Sequence, residues 1–71
     1  GNLNPSEADM DLTKKLVSAG KFLEIRILDH IIITEEQYYS FADEGLLKLL
    51  YFQIVRNGWS SGYSLVIYTP T

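Results

Sequence analysis

The chain has 71 residues, a formal net charge of −3 and no cysteine, which limits it to one small domain or a piece of one and excludes a disulfide framework. The lack of thiols is typical of a reducing compartment, so we expect a cytoplasmic location. No apolar run reaches the roughly 18 residues of a membrane span, and we expect no membrane partner. Six Lys and Arg against nine Asp and Glu disfavour a nucleic-acid surface.

The apolar content is high for so short a chain. Hydrophobic residues make up 46% of the sequence, and nine residues are aromatic. A small domain buries a limited share of its surface, and this one has no disulfide to help it. We therefore expect a partner, either a second copy in a homo-oligomer or a missing N-terminal companion segment. A tight monomer with exposed tyrosines is the alternative.

An amphipathic helix is predicted after an N-terminal loop that ends at Asn4. Asn4 or Ser6 can cap this helix, because an acidic residue follows each of them three positions later. If Asn4 is the cap, Pro5 occupies the first helical position, which proline favours. Five apolar residues form one helical stripe: Ala8, Leu12, Leu16, Ala19 and Leu23. The helix is expected to end between Gly20 and Leu23.

Two antiparallel strands are predicted next. Ile25–Ile33 is rich in β-branched residues, which favour strands. Both alternating sets are mostly apolar from Leu28 onward, so we expect a central strand covered on both faces. A polar turn at Thr34–Gln37 separates it from a short second strand, Tyr38–Phe41. Ala42–Leu47 is interpreted as a short helix or turn.

The apolar run Leu46–Val55 permits two interpretations. Helix and buried strand are both compatible with its pattern at this length. Asn57-Gly58 is a strong signal for a β-hairpin, because both residues tolerate positive φ. We therefore predict strands at Leu50–Arg56 and Tyr63–Thr69. The predicted fold class is α+β, with an N-terminal amphipathic helix packed on a small, mostly antiparallel sheet.

Isolated residues offer little chemistry. His30 is the only histidine, and the sequence has no His/Cys spacing of a metal site. We interpret His30 as a satisfied core or interface residue, and Asp29 as a partner of a backbone amide or a neighbouring loop. Tyr38, Tyr39 and Phe41 are expected to serve sheet packing. Taken alone, Ser6-x-x-Asp9 is a capping box.

Three segments together resemble one family. They are Asn4-Pro5-Ser6-x-x-Asp9-x-x-Leu12-Thr13, Leu28–Ile33 (LDHIII) and Tyr38–Leu47 (YYSFADEGLL). This combination is similar to the C-terminal part of RadC proteins, bacterial members of the JAB/MPN group. The resemblance covers residues 1–47 and implies part of a JAB/MPN domain with a cytidine-deaminase-like fold. Residues 48–71 match no pattern of the family, and we expect this extension to complete the sheet as a β-hairpin.

The resemblance also implies a JAMM zinc motif. In the family, an upstream Glu is followed by His-x-His, seven residues, Ser, two residues and Asp. Ser6 matches the serine that helps hold the oxyanion, and Asp9 matches a zinc ligand. The two His ligands and the Glu base would lie before Gly1. We therefore expect no cofactor in this chain, although the full-length family uses zinc.

Three hypotheses for function follow. The first is a truncated RadC-like JAB/MPN domain, inactive alone, from a family associated with DNA repair and resembling zinc metallo-isopeptidases. The second is a small homo-oligomeric protein-interaction module. The third is a half-domain that completes a zinc site when another chain supplies the N-terminal half.

Overall fold

Two helices and three strands form the part of the chain that the structure describes. The computed structural model describes residues 3–54 and 62–70. In chain order the elements are α1 (Glu7–Leu23), β1 (Ile25–Ile33), β2 (Tyr38–Ser40), α2 (Leu46–Ile54) and β3 (Tyr63–Pro70). Helix α1 packs on β1, which confirms the α+β class and the helix-on-sheet arrangement. Across the described ranges, neither helix has the length and hydropathy needed to span a bilayer.

Helix α1 begins and ends on local signals. Ser6 is the N-cap, and a full capping box with Asp9 confirms the second of the two predicted starts. At the other end, Glu24 adopts a left-handed conformation with φ of 61° and donates its N–H to the carbonyls of Gly20 and Lys21. This single residue turns the chain directly into β1, so α1 runs back along the strand that follows it.

Gly20 allows a close contact between α1 and β1 that its position in the sequence does not predict. A Cβ atom at this position would collide with the backbone carbonyl oxygen of Ile25. The absence of a side chain therefore lets the last turn of α1 lie directly against the start of β1.

The sheet has the order β2-β1-β3 and is mixed. Strand β2 pairs antiparallel with β1 over a short register from Ile31↔Ser40 to Ile33↔Tyr38, as predicted. Strand β3 pairs parallel with β1 along its whole length, from Ile25↔Tyr63 to Ile33↔Pro70. The prediction of a mostly antiparallel sheet was therefore wrong, because the longer of the two pairings is parallel.

The segment predicted as a strand at Leu50–Arg56 is helical as far as the structure describes it. Helix α2 ends at Ile54, and the Asn57-Gly58 turn lies outside the described residues. Leu47 and Leu50, one turn apart, are both buried, whereas Leu49 and Phe52 are exposed. The hairpin prediction was wrong, since β3 pairs with β1 rather than with the preceding segment. The strand predicted at Tyr63–Thr69 is confirmed as β3.

Among the described residues, strand β1 is largely buried on one face and partly exposed on the other. A register shift between Ile27 and Asp29 marks a β-bulge at Leu28. The bulge brings Ile27, His30 and Ile32 to the same buried side, beneath α1. Leu28 and Ile33 remain 49% and 42% exposed on the opposite side. The expectation of a strand covered on both faces was therefore wrong, because both helices contribute to a single core.

That core lies between the helices and one face of the sheet. Helix α1, strand β1, the segment after β2 and helix α2 each contribute one buried side chain to it. The residues are Val17, Ile32, Phe41 and Leu47. The start of α1 is consequently held next to the C-terminal half of β1, where the candidate site lies.

Candidate site at the start of helix α1

Ser6 and Asp9 form a closed hydrogen-bonded pair at the start of α1. The Ser6 backbone N–H and its hydroxyl both donate to Asp9 Oδ2 at 2.9 Å. The Asp9 backbone N–H donates in return to Ser6 Oγ at 3.1 Å. The hydrogen bonds from the Ser6 backbone and then from its side chain lower the pKa of Asp9. The structure thus brings the two predicted site residues into contact, and the Asp9 carboxylate is ionised.

A chain of hydrogen bonds leads from Asp9 into the core. The Thr13 hydroxyl donates to the Asp9 backbone carbonyl at 2.8 Å, and its oxygen lies 2.6 Å from His30 Nδ1. On the other side of the imidazole, His30 Nε2 lies 2.9 Å from the hydroxyl of Thr69. These hydrogen bonds connect α1, β1 and β3 through the imidazole ring of His30.

The network assigns the proton on His30. A hydroxyl carries one proton, and that of Thr13 is used on the Asp9 carbonyl. Thr13 Oγ1 must therefore accept from the Nδ1–H of His30. The neutral ring then presents the Nε2 lone pair, which accepts from the Thr69 hydroxyl. Both nitrogens of His30 are satisfied, so the interpretation as a satisfied core histidine is confirmed.

His30 is kept neutral by its surroundings. Its side chain has no exposed surface, and its ring stacks on Phe41 with centroids 4.9 Å apart. Burial lowers the pKa of His30, while the negative charges of Asp9 and Asp29 oppose this shift in part. A buried neutral imidazole with both nitrogens engaged has no lone pair to offer a metal ion.

Asp29 fastens the segment after β2. Its Oδ1 accepts from the Ala42 backbone N–H at 2.9 Å, and its Oδ2 accepts from the hydroxyl of buried Ser40. Ser40 Oγ in turn accepts from the Asp43 backbone N–H at 3.1 Å. The expectation that Asp29 bonds a backbone amide or a neighbouring loop is confirmed, and its role is structural.

The side chains at this site do not fit a complete catalytic zinc centre. Such a centre takes three protein ligands and keeps a fourth position for water. Asp9 can supply one carboxylate, and His30 is committed to Thr13 and Thr69. Within residues 3–54 and 62–70, no group of three or more His, Cys, Asp or Glu side chains lies close enough to hold a metal ion.

Two residues of the network were missed by sequence reasoning. Thr13 lies four positions after Asp9 on the same predicted helix, and this spacing could have indicated its hydrogen bond to the Asp9 carbonyl. The structure shows in addition that Thr13 is completely buried. Thr69 is 39 positions away from its partner His30. No local pattern predicts that contact, because it depends on the parallel pairing of β3 with β1.

A family model described as a RadC-like JAB domain matches residues 1–46. The chain therefore belongs to the RadC-like JAB domain family, as the sequence resemblance predicted. The match ends at the start of α2, so most of α2 and all of β3 lie beyond it. No solved structure gives a significant match.

Relatives among curated proteins are much longer than this chain. A UPF0758 protein of Flavobacterium johnsoniae is 61% identical over 46 residues, which are 65% of this chain and 20% of that protein. A UPF0758 protein of Chlorobium chlorochromatii is 47% identical over 47 residues, 66% of this chain and 21% of that protein. The UPF0758 protein YfjY of Escherichia coli is 47% identical over 47 residues, 66% and 29% of the two chains. The chain thus spans about a fifth to under a third of the length of these relatives.

Proposed function

We propose that this chain is a catalytically silent C-terminal unit of a RadC-like JAB domain. It would hold the Ser-x-x-Asp part of a JAMM-type zinc site that needs His ligands from another segment or another chain. The observation that carries this proposal is the contrast between Asp9 and His30. Asp9 is ionised and fixed at the helix start, whereas His30 is buried and fully hydrogen-bonded.

The state of Asp9 suits a role as one ligand of several. Metal ligands must be deprotonated, and the low pKa of Asp9 keeps its carboxylate charged. The rigid capping box also fixes its direction before any ion arrives. A single carboxylate gives too few donors for tight zinc binding, so the chain by itself would neither hold zinc nor activate water.

Ser6 supports the same interpretation. The family resemblance implies that the matching serine helps to stabilise an oxyanion. Here the Ser6 hydroxyl proton is directed to Asp9 Oδ2, and its oxygen accepts from the Asp9 amide. To donate to a substrate, the Ser6 hydroxyl would have to break its hydrogen bond to Asp9 Oδ2. The incomplete site has no bound oxyanion that would compete for this proton.

The charge and the cysteine content of the sequence support two further parts of the proposal, which concern DNA contact and cellular location. The net charge of −3 argues against direct DNA contact, so a link to DNA repair would act through other proteins. The cysteine-free sequence supports a cytoplasmic location.

Zinc titration of the purified chain tests this proposal. Calorimetry with Zn²⁺ should show no stoichiometric binding, and the chain should not hydrolyse an isopeptide-linked substrate. The Asp9→Asn variant should behave identically, because the wild-type carboxylate binds no ion alone. One-to-one zinc binding by the wild-type chain that disappears in Asp9→Asn would overturn the proposal.

Complementation tests the second half of the proposal. A fragment that carries the family's Glu and His-x-His segments should form a zinc-dependent complex with the wild-type chain. The same fragment should bind Asp9→Asn with weaker zinc dependence, because one of three ligands is missing. Failure of the wild-type chain to form any complex would exclude the completed-site role and leave the silent unit.

A further inference from the structure

The sheet face opposite the helices is largely apolar, and much of it is exposed among the described residues. Residues paired in register share a face, so Ile33 lies with Tyr38, Ile31 with Tyr68, and Asp29 with Val66. Ile27, His30 and Ile32 occupy the other, buried face. We define the open sheet face by its six apolar residues: Leu28, Ile31, Ile33, Tyr38, Val66 and Tyr68.

Exposure of these side chains is substantial. Tyr38 and Tyr68 are 66% and 62% exposed. With side-chain areas of about 150–250 Å² for the aromatic residues, the open sheet face exposes on the order of 500 Å² of side-chain surface per chain. The largest apolar patch on a typical monomeric protein is about 300–600 Å² and is often a functional surface. Two such faces packed together would bury about 1,000 Å², the lower bound of a specific interface.

Charge on this face permits contact with an identical copy. The chain carries net charge −3, and none of the six residues is charged, but Asp29 lies on the same face. The carboxylate of Asp29 is held by Ser40 and the Ala42 amide, and the Arg26 guanidinium lies 5.3 Å from the ring centroid of Tyr51. Two copies can therefore meet here with each Asp29 carboxylate hydrogen-bonded within its own chain.

We propose that two copies of this chain associate face to face through the open sheet face, around a two-fold axis. Twisted sheets pack in this way at about 10 Å separation, with side chains of the two faces interdigitated. A two-fold axis uses the same patch twice, so one apolar face is sufficient for both partners. The inference rests on burial and charge and is independent of the zinc chemistry proposed above.

Sedimentation or light scattering between about 1 and 500 µM tests this interface. The wild-type chain should change with concentration from the mass of one chain to twice the 8.1 kDa of one chain. Ile33→Lys and Tyr68→Lys should each raise the dissociation constant by at least about tenfold, because each would bury a charge. Both positions are already exposed in one copy, so circular dichroism and thermal melts should show folded variants.

Phe22→Lys is the matched control. Phe22 is 88% exposed on α1, away from the open sheet face, so its replacement should leave the dimer intact. A wild-type chain that stays monomeric at all concentrations would overturn the proposal. The open sheet face would then be a surface for a different polypeptide. A dimer that survives Ile33→Lys would also overturn it. Ile33 is on the central strand and cannot take part in edge-to-edge pairing of β3.

Discussion

The imidazole of His30 and the hydroxyl of Thr13 lie 2.6 Å apart inside the core, and this hydrogen bond joins β1 to α1. The opposite ring nitrogen reaches Thr69 on β3. One buried side chain thus connects residues of the family-matched segment with a strand beyond it. The stability of the fold should therefore depend on this connection.

Removal of either hydroxyl should destabilise the fold. In Thr13→Val the buried Nδ1–H of His30 loses its acceptor, so the free energy of unfolding should fall by about 1–3 kcal/mol. Thr69→Val removes the donor to Nε2 and should cost about 1 kcal/mol, since Thr69 is less deeply buried. Urea unfolding measures both. Ser64→Ala, at an exposed position of the same strand, should change little, and equal losses in all three variants would contradict the network.

Stability should decrease in mildly acidic solution because of His30. Its pKa in the folded chain is below the ordinary value of 6.5, chiefly because of burial. The unfolded chain therefore takes up a proton first, and stability is full above about pH 6.5 and declines as the pH falls below that value. Urea midpoints at about pH 7.5 and 5.0 should show the decline. His30→Gln should flatten this part of the profile, and an unchanged slope in that variant would exclude His30 as its source.

The capping box should contribute measurably to α1. Ser6→Ala removes the acceptor for the Asp9 amide and one donor to the Asp9 carboxylate, so it should cost about 1 kcal/mol of the free energy of unfolding. Asp11→Ala, at an exposed position in the same helix, is the control and should cost much less. Thermal melts at neutral pH compare the two. Similar losses would mean that helix propensity, not the cap, is being measured.

Gly20 should resist replacement. An added methyl group would collide with the Ile25 carbonyl oxygen, so Gly20→Ala should lower the free energy of unfolding by about 1–3 kcal/mol even though alanine favours helices. Gly62→Ala meets no atom within 4 Å and serves as the control. A Gly20→Ala variant as stable as wild type would show that α1 and β1 can separate without cost.

Local patterns were sufficient for the elements that form from neighbouring residues. The capping box at Ser6, the extent of α1, the strand at Ile25–Ile33 and the antiparallel partner beginning at Tyr38 are all confirmed. Each depends on hydrogen bonds or residue preferences within a few positions. The same segments carried the family resemblance that the comparison confirmed. The predicted apolar stripe of α1 was wrong, because α1 buries Thr13, Val17 and Gly20, whereas Leu12 and Leu23 of that stripe are exposed.

Long-range contacts decided the rest. Leu46–Ile54 has enough apolar residues for a helix or a strand, and burial of Leu47 and Leu50 in the core selected the helix. The parallel pairing of β3, the bulge at Leu28 and the Thr13–His30–Thr69 chain likewise join residues far apart in sequence. The positions of α1, β1 and β2 and the family of the chain therefore follow from residues close together in sequence. The buried face of β1 and the hydrogen-bond partners of His30 could not be predicted, because both depend on contacts between distant residues that no local pattern encodes.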